Sequence, residues 1–377
     1  MQNGKAWTGQ LAQGSNGLYE TYEKALALER KGAKIAKLNV GEPDWGPPLE
    51  AIRAAENAIA GGKTKYGSAQ GELSLREKIA ELHGGRAENI VITPGSKWGI
   101  YALMKTCLSR GDNVVAFSPH WSAYELMAKS FGAEFRAIGL EMGKKWATDL
   151  GGLENAVDAG TKLLVLNSPA NPTSKAFSEK EENAVIGFAE SRGITVIADD
   201  AYRGIAFEKM GERQFRNSGG VFVANTFSKT FGMTGWRIGY VVVPEAKAKE
   251  LVSLNQITFT NVPVFIQACA EKAIEYGETA AREARKKCVL RAEAAAKILS
   301  GHLEFTRPDA GFYLFPRLPE GSDTLKFLDT MLGMGYAMVP GAAFGDFGRH
   351  FRMSLCLEKE TIEAACGAVV ETLEELE

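Results

Sequence analysis

Three stretches of this chain place ionisable or hydrogen-bonding side chains directly after short apolar runs. The run at 194–198 leads into Asp199-Asp200-Ala201-Tyr202, and the run at 162–166 into Asn167-Ser168-Pro169-Ala170-Asn171-Pro172-Thr173. The run at 221–224 leads into Asn225-Thr226-Phe227-Ser228-Lys229, with Arg237 eight residues further on. Carboxylates, amides and amines are costly to bury alone, so these groups must meet one another or a ligand. A lysine that is partly desolvated beside another cation has a lowered pKa and is a better nucleophile. A planar guanidinium such as that of Arg237 suits bidentate binding of a phosphate. Gly95-Ser96-Lys97 stands where a helix over 96–108 would begin after a strand, and the free N–H groups of a helix start form a natural phosphate site.

The elements that must position these groups follow from the hydrophobic pattern. Apolar runs at 89–93, 113–117, 134–138, 162–166, 194–198, 221–224 and 237–243 are mostly continuous rather than alternating, and helical patterns separate them. They predict an α/β fold with a mainly parallel seven-stranded sheet covered by helices on both faces. Ligands of such sheets sit beyond the carboxyl ends of the strands, where the groups above fall. A charged helical pattern over 279–299 and strand-like runs at 311–316, 335–340 and 350–355 predict a smaller α+β unit. The expected division is a large domain over 46–278 and a small domain made from 1–45 and 279–377.

Composition removes several function classes. The chain has 377 residues, 45% hydrophobic and 24% charged, an ordinary globular make-up. A formal net charge of −2 supplies no single-sign field to draw nucleic acid or an anionic membrane, so small ligands must be held by local groups. Cys107, Cys269, Cys288, Cys356 and Cys366 form no C-x-x-C pair, and His83, His120, His302 and His350 fall in no metal-ligand spacing. A disulfide framework and a metal site are not expected. Residues 1–13 carry no secretory pattern, and no apolar run approaches the roughly 18 residues of a membrane span, so a cytoplasmic location is expected. Neither a G-x-x-x-x-G-K-[ST] loop nor a G-x-G-x-x-G after a strand is present, against a kinase or a dehydrogenase.

The segment Ser228-Lys229-Thr230-Phe231-Gly232-Met233-Thr234-Gly235-Trp236-Arg237-Ile238-Gly239-Tyr240 resembles the Schiff-base lysine signature of class I/II aminotransferases, the fold-type I pyridoxal-phosphate enzymes. The resemblance extends through Gly41-Glu42-Pro43-Asp44, Asn171-Pro172-Thr173, Asp199 to Tyr202, and Phe351-Arg352-Met353-Ser354, in the family's order over nearly the whole chain. It implies that Lys229 holds pyridoxal 5'-phosphate and, once displaced by an amino acid, carries the proton of the substrate's α-carbon. Arg237, with Thr226, Ser228 and Gly95-Ser96-Lys97, is then the phosphate site. Asp199 pairs with the ring nitrogen and keeps it protonated, while Tyr202 and Asn171 hydrogen-bond the phenolic oxygen. Trp121 stacks on the ring. Tyr66 reaches the phosphate of a neighbouring subunit, which implies a homodimer with shared sites. Arg352 clamps the substrate's α-carboxylate, and Gly41 lies where a side chain would crowd it.

The chain departs from the family pattern at a few places. Ser174 replaces the usual glycine after Asn-Pro-Thr, Asp200 replaces the commoner glutamate and is read as structural, and Trp45 and Trp98 are expected to alter the substrate pocket. Lys97 matches a lysine that recognises the distal carboxylate in one aspartate aminotransferase subgroup, and Asn16 falls near that subgroup's N-terminal segment. The resemblance therefore favours aspartate or glutamate as donor and 2-oxoglutarate as acceptor. Transfer from aromatic or aliphatic amino acids, and carbon–sulfur cleavage on the same fold, remain open alternatives. A non-enzymatic effector-binding module of a transcription regulator is not expected, because the resemblance starts by about residue 16 with no DNA-binding domain ahead of it.

Overall fold

Seven strands, all largely buried except the edge strand at 134–139, form the centre of the computed structural model, which describes residues 17–216 and 219–376. They are β1 (Ile90–Thr93), β2 (Asn113–Ser118), β3 (Glu134–Gly139), β4 (Thr161–Asn167), β5 (Thr195–Asp199), β6 (Val221–Thr226) and β7 (Gly239–Val242). The sheet order is β1-β7-β6-β5-β4-β2-β3. Only β7 runs antiparallel to its neighbours, and every other pair is parallel.

Alternate residues explain why the apolar runs are continuous. Val91, Val114, Leu163, Ile197, Phe222 and Val241 face one layer of helices and pack with Ile100, Leu103 and Leu251. On the opposite face Val115, Leu164 and Val196 meet Val185, Ile186 and Ala189 of helix Glu179–Ser191, while Ile90, Ile92, Val223 and Val242 meet Ala51, Ile79 and Ala273. Each such aliphatic side chain contributes about 1.5–3 kcal/mol by leaving water, so a polar residue on either face would be costly. Polar side chains are tolerated at the strand ends.

The later part of the chain builds a second, smaller layer. Strands β8 (Tyr313–Leu314), β9 (Val339–Pro340) and β10 (Phe351–Ser354) pair antiparallel in the order β9-β10-β8. Helices Gly277–Leu299, Thr324–Gly333 and Lys359–Leu376 pack around them. Residues Ala36–Lys37 pair in parallel with Tyr336–Ala337, and Leu38 joins the core of Phe312, Phe351, Met353 and Val369. Among the described residues no helix is long and apolar enough to cross a membrane.

Two local readings change. The apolar run at 237–243 begins its strand only at Gly239, because Arg237 has φ +54°, a left-handed conformation that no strand accommodates. The side chain of Arg237 is thereby sent back toward the loops at the sheet's end. At Ser174 the turn keeps the left-handed backbone (φ +55°) without a glycine. Its hydroxyl accepts the buried main-chain N–H of Tyr313 at 3.0 Å, which offsets the strain. Ser174→Ala keeps the strained backbone but strands that N–H. It is expected to cost about 1–3 kcal/mol in a urea unfolding titration, and Ser174→Gly less than that.

Asp200 proves structural. It is fully buried and pairs with Arg213 at 3.1 Å; Arg213 also meets Glu182 at 3.2 Å, and Glu182 meets Arg203 at 3.1 Å. These paired charges tie the loop carrying Arg213 to the end of β5.

Candidate active site

A cavity of about 500 Å³ opens beyond the carboxyl ends of β4, β5 and β6 and is closed on its other side by β8 and β10. Gly41, Ser96, Lys97, Trp121, Asn171, Asp199, Tyr202, Thr226, Ser228, Lys229, Arg237 and Arg352 all line it, although they are spread over more than three hundred residues of sequence. Tyr66 does not line it. It projects from the surface with 90% of its area exposed, without packing inside its own chain. Asn16 lies outside the described residues.

One wall consists of hydrogen-bond donors. Gly95, at φ +82°, precedes helix Ser96–Cys107, whose first N–H groups no side chain caps. A Cβ on Gly95 would stand 2.7 Å from Nη2 of Arg237, so only glycine lets the guanidinium approach the helix start. Arg237 is steered there by donating to the carbonyls of Thr234 at 2.6 Å and Pro94 at 3.3 Å. The hydroxyls of Thr226 and Ser228 lie 2.9 Å apart on the same wall. Main-chain N–H groups, hydroxyls and a guanidinium together suit a phosphate.

The middle of the cavity holds a carboxylate and an amine. Asp199 is the last residue of β5 and is buried; its Oδ2 accepts the hydroxyl of Tyr124 at 2.5 Å and its Oδ1 the N–H of Ala201 at 3.2 Å. Burial pushes its pKa up to about 6, and the two hydrogen bonds only partly oppose this. A cation placed beside it would restore the charged form. Nζ of Lys229 donates to the carbonyl of Gly41 at 2.6 Å. Burial pushes its pKa down to about 8, and the charges of Arg352 and Arg237 act the same way. Desolvation outweighs the neighbouring cations as the cause. The indole N–H of Trp45 fixes the chain at this point, donating to the carbonyls of Lys229 and Thr230 at 3.1 and 3.2 Å.

The far end carries Arg352, which is buried on β10. It donates to Oδ1 of Asn171 at 2.9 Å and to the carbonyl of Asn39 at 2.8 Å, while its Nε is buried with no partner. Arg352 lines the cavity, and a planar guanidinium at that wall is suited to an incoming carboxylate. Asn167 at the end of β4 sets the Asn171 loop by accepting its N–H at 2.9 Å. Lys97 lies with Nζ 5.0 Å from the ring centre of Trp121, so a cation and a flat aromatic face share one side of the pocket.

The structure corrects two expectations about pocket shape. Neither Trp45 nor Trp98 lines the cavity: Trp45 braces Lys229, and Trp98 donates to Asn255 at 3.2 Å while stacking on Tyr101. Gly41 does line the cavity, and a Cβ there would also sit 1.8 Å from the hydroxyl of Tyr313.

Tyr124, Tyr313 and Asn39 also line or support the site and escaped the reading from sequence. Tyr124 had no local signal for its partner, 75 residues away. Tyr313 offered one, since a tyrosine within the apolar run at 311–316 needs a partner for its hydroxyl.

Residues 33–369 match the family model described as aminotransferase class I and II. The chain is similar to the aspartate aminotransferase of Thermococcus kodakarensis, 31% identical over 85% of this chain and 84% of that protein. It is also similar to the probable aspartate/prephenate aminotransferase of Aquifex aeolicus, 32% identical over 94% of each. Among solved structures, the aspartate aminotransferase from Thermus thermophilus with maleate superposes with a TM-score of 0.88. That match has 27% identity and covers 97% of this chain and 99% of that one.

Proposed function

The chain belongs to the class I and II aminotransferases, and from that premise we propose that it moves the amino group of aspartate or glutamate to a 2-oxo acid such as 2-oxoglutarate. The observation that carries this reading is the meeting of Lys229, Asp199 and Arg352 around one cavity whose wall also offers Arg237, Ser96, Thr226 and Ser228. Members of the family work with pyridoxal phosphate, and the residues present suit it. The wall of Arg237, Ser96, Thr226 and Ser228 matches its phosphate. The buried Asp199 matches its basic ring nitrogen, and Trp121 offers a flat face. When bound, this group supplies an aldehyde that takes up the amino group and a ring that accepts the electron pair left on the α-carbon.

The chain's own residues do the rest. Arg352 pairs with the substrate's α-carboxylate, and Asn171 holds the guanidinium in place, so the orientation of the α-carbon is set before any bond breaks. Lys229, whose burial lowers its pKa to about 8 so that the amine becomes largely neutral above that pH, takes the α-proton at Nζ and returns it on the other side of the transferred nitrogen. Asp199 holds a proton on the ring nitrogen by remaining charged against it. Tyr202 donates toward the phenolic oxygen. The strand ends supply Asp199 and Thr226 from a rigid sheet, which keeps these groups in register.

Lys97 is the residue we assign to the distal carboxylate of acidic substrates, supported by its place on the cavity wall beside Trp121. Replacing it by alanine is expected to lower kcat/KM for aspartate and glutamate about 10–100-fold. Aromatic and aliphatic donors are expected to change by less than about threefold. A donor panel with 2-oxoglutarate reads this directly, and equal loss for every donor would remove Lys97 from selectivity.

The exposed Tyr66 supports a homodimer in which each chain offers that tyrosine to the other's phosphate site. The division into 46–278 and the two terminal segments, with closure on substrate and a cytoplasmic location, completes the proposal. Glutamate alone should release one equivalent of 2-oxoglutarate per site and change the absorbance of the bound cofactor. Release of ammonia instead would favour the lyase chemistry.

A further inference from the structure

Tyr313 touches three groups of the site at once. Its hydroxyl lies 3.1 Å from that of Tyr202, its ring carries the guanidinium of Arg352 at 4.4 Å, and its hydroxyl fills the space above Gly41. The ring is held edge-on between Phe312 and Tyr202, at 4.9 and 5.7 Å, and the main-chain N–H is fixed by Ser174. With 2% of its area exposed, Tyr313 is buried at the cavity wall.

Two phenols this close share one hydrogen bond, and the question is which of them donates. A cation against an aromatic face stabilises negative charge on that ring and makes its O–H the better donor. Arg352 lies over Tyr313. Burial raises the pKa of both hydroxyls and the charge of Arg352 opposes that rise at each, while the hydrogen bond between them lowers Tyr313 and raises Tyr202. Tyr313 therefore donates to the oxygen of Tyr202, and the proton of Tyr202 is left to point elsewhere.

We infer that Tyr313 is a positioning residue for the transfer: its hydroxyl donates to Tyr202 and so aims the O–H of Tyr202 at the phenolic oxygen of the cofactor. This rests on the pyridoxal-phosphate reading of the site and adds to it a residue that the family resemblance did not assign. Accepting a hydrogen bond also strengthens the one Tyr202 donates, because linked hydrogen bonds polarise one another.

The test is a spectrophotometric pH titration of the cofactor-loaded protein in the wild type, Tyr313→Phe, Tyr202→Phe and the double variant. Weaker donation from Tyr202 leaves more negative charge on the phenolic oxygen, which holds the neighbouring proton more tightly. Tyr313→Phe is therefore expected to raise the titration midpoint by about half to one pH unit, and to add no shift in the Tyr202→Phe background. Replacing Tyr313 by a fluorotyrosine keeps the shape and strengthens the donor, so the midpoint should fall. An unchanged midpoint, a fall on Tyr313→Phe, or the same shift without the Tyr202 hydroxyl would overturn the proposal. A wild type that takes up no cofactor would sink the underlying reading and the proposal with it, which the variants alone cannot do.

Discussion

Lys229→Ala is expected to lower kcat by about 10⁴-fold or more, at the upper end of what positioned proton transfer supplies, because the covalent anchor is lost as well. The expectation follows from where the amine sits. Nζ donates to Gly41 within the cavity and is partly stripped of water, and Lys97, the other lysine on the cavity wall, lies over Trp121. The loss should appear in kcat for every donor alike, unlike the selective loss at Lys97. Removing an amine held at a lowered pKa should not weaken the fold, so the cofactor-free variant is expected to melt no lower than the wild type. The pH dependence adds a second reading. Only the neutral amine reacts, so uptake of pyridoxal phosphate by cofactor-free wild type should rise about tenfold per pH unit below about 8 and level off above it. A lysine near its ordinary value of 10.5 would keep rising to the end of the usable range.

Asp199→Asn is expected to lower kcat about 10²–10³-fold, since a neutral amide no longer holds the ring nitrogen in its charged form. The same substitution should stabilise the cofactor-free protein. The folded-state pKa of Asp199 is raised from 3.8 to about 6, so the fold binds its proton more tightly than the unfolded chain does. Wild-type stability is then unreduced by this group below about pH 4 and falls as pH rises through about 6. The loss levels off above that at roughly 3 kcal/mol. The asparagine variant should lack this slope. Its Oδ1 can still accept from Ala201, and the Tyr124 hydroxyl can turn to accept from the new amide. Chemical unfolding at pH 4 and pH 7, with and without cofactor, separates the two effects. The carboxylate is costly for the empty fold because it is placed to meet a cation.

What the sequence shows well is whatever local chemistry dictates. Continuous apolar runs require a sheet buried on both faces, and Asp199, Asn171 and Lys229 follow those runs because ligands of such sheets gather at the strand ends. Arg237 was misplaced into a strand because nothing in an apolar pattern reports a positive φ at a residue other than glycine. The partnership of Tyr124 with Asp199 and that of Tyr313 with Tyr202 are made by tertiary packing across 75 and 111 residues; the apolar run around Tyr313 signals that its hydroxyl needs a partner, but nothing local identifies either partner. Gly41 illustrates the same limit: the resemblance points to a glycine there, but the Tyr313 hydroxyl that also leaves no room for a Cβ lies 272 residues away and is visible only in the fold. Trp45, taken for a pocket-shaping residue, turned out to brace the carbonyl of the lysine itself, a contact spanning 184 residues.

The measurement that bears most directly on this account is borohydride reduction of the protein loaded with pyridoxal phosphate, followed by peptide mass spectrometry. A single stable adduct is expected on the peptide containing Lys229, absent after Lys229→Ala and present after Lys97→Ala. An adduct spread over surface lysines, or one found on Lys97 in place of Lys229, would contradict it.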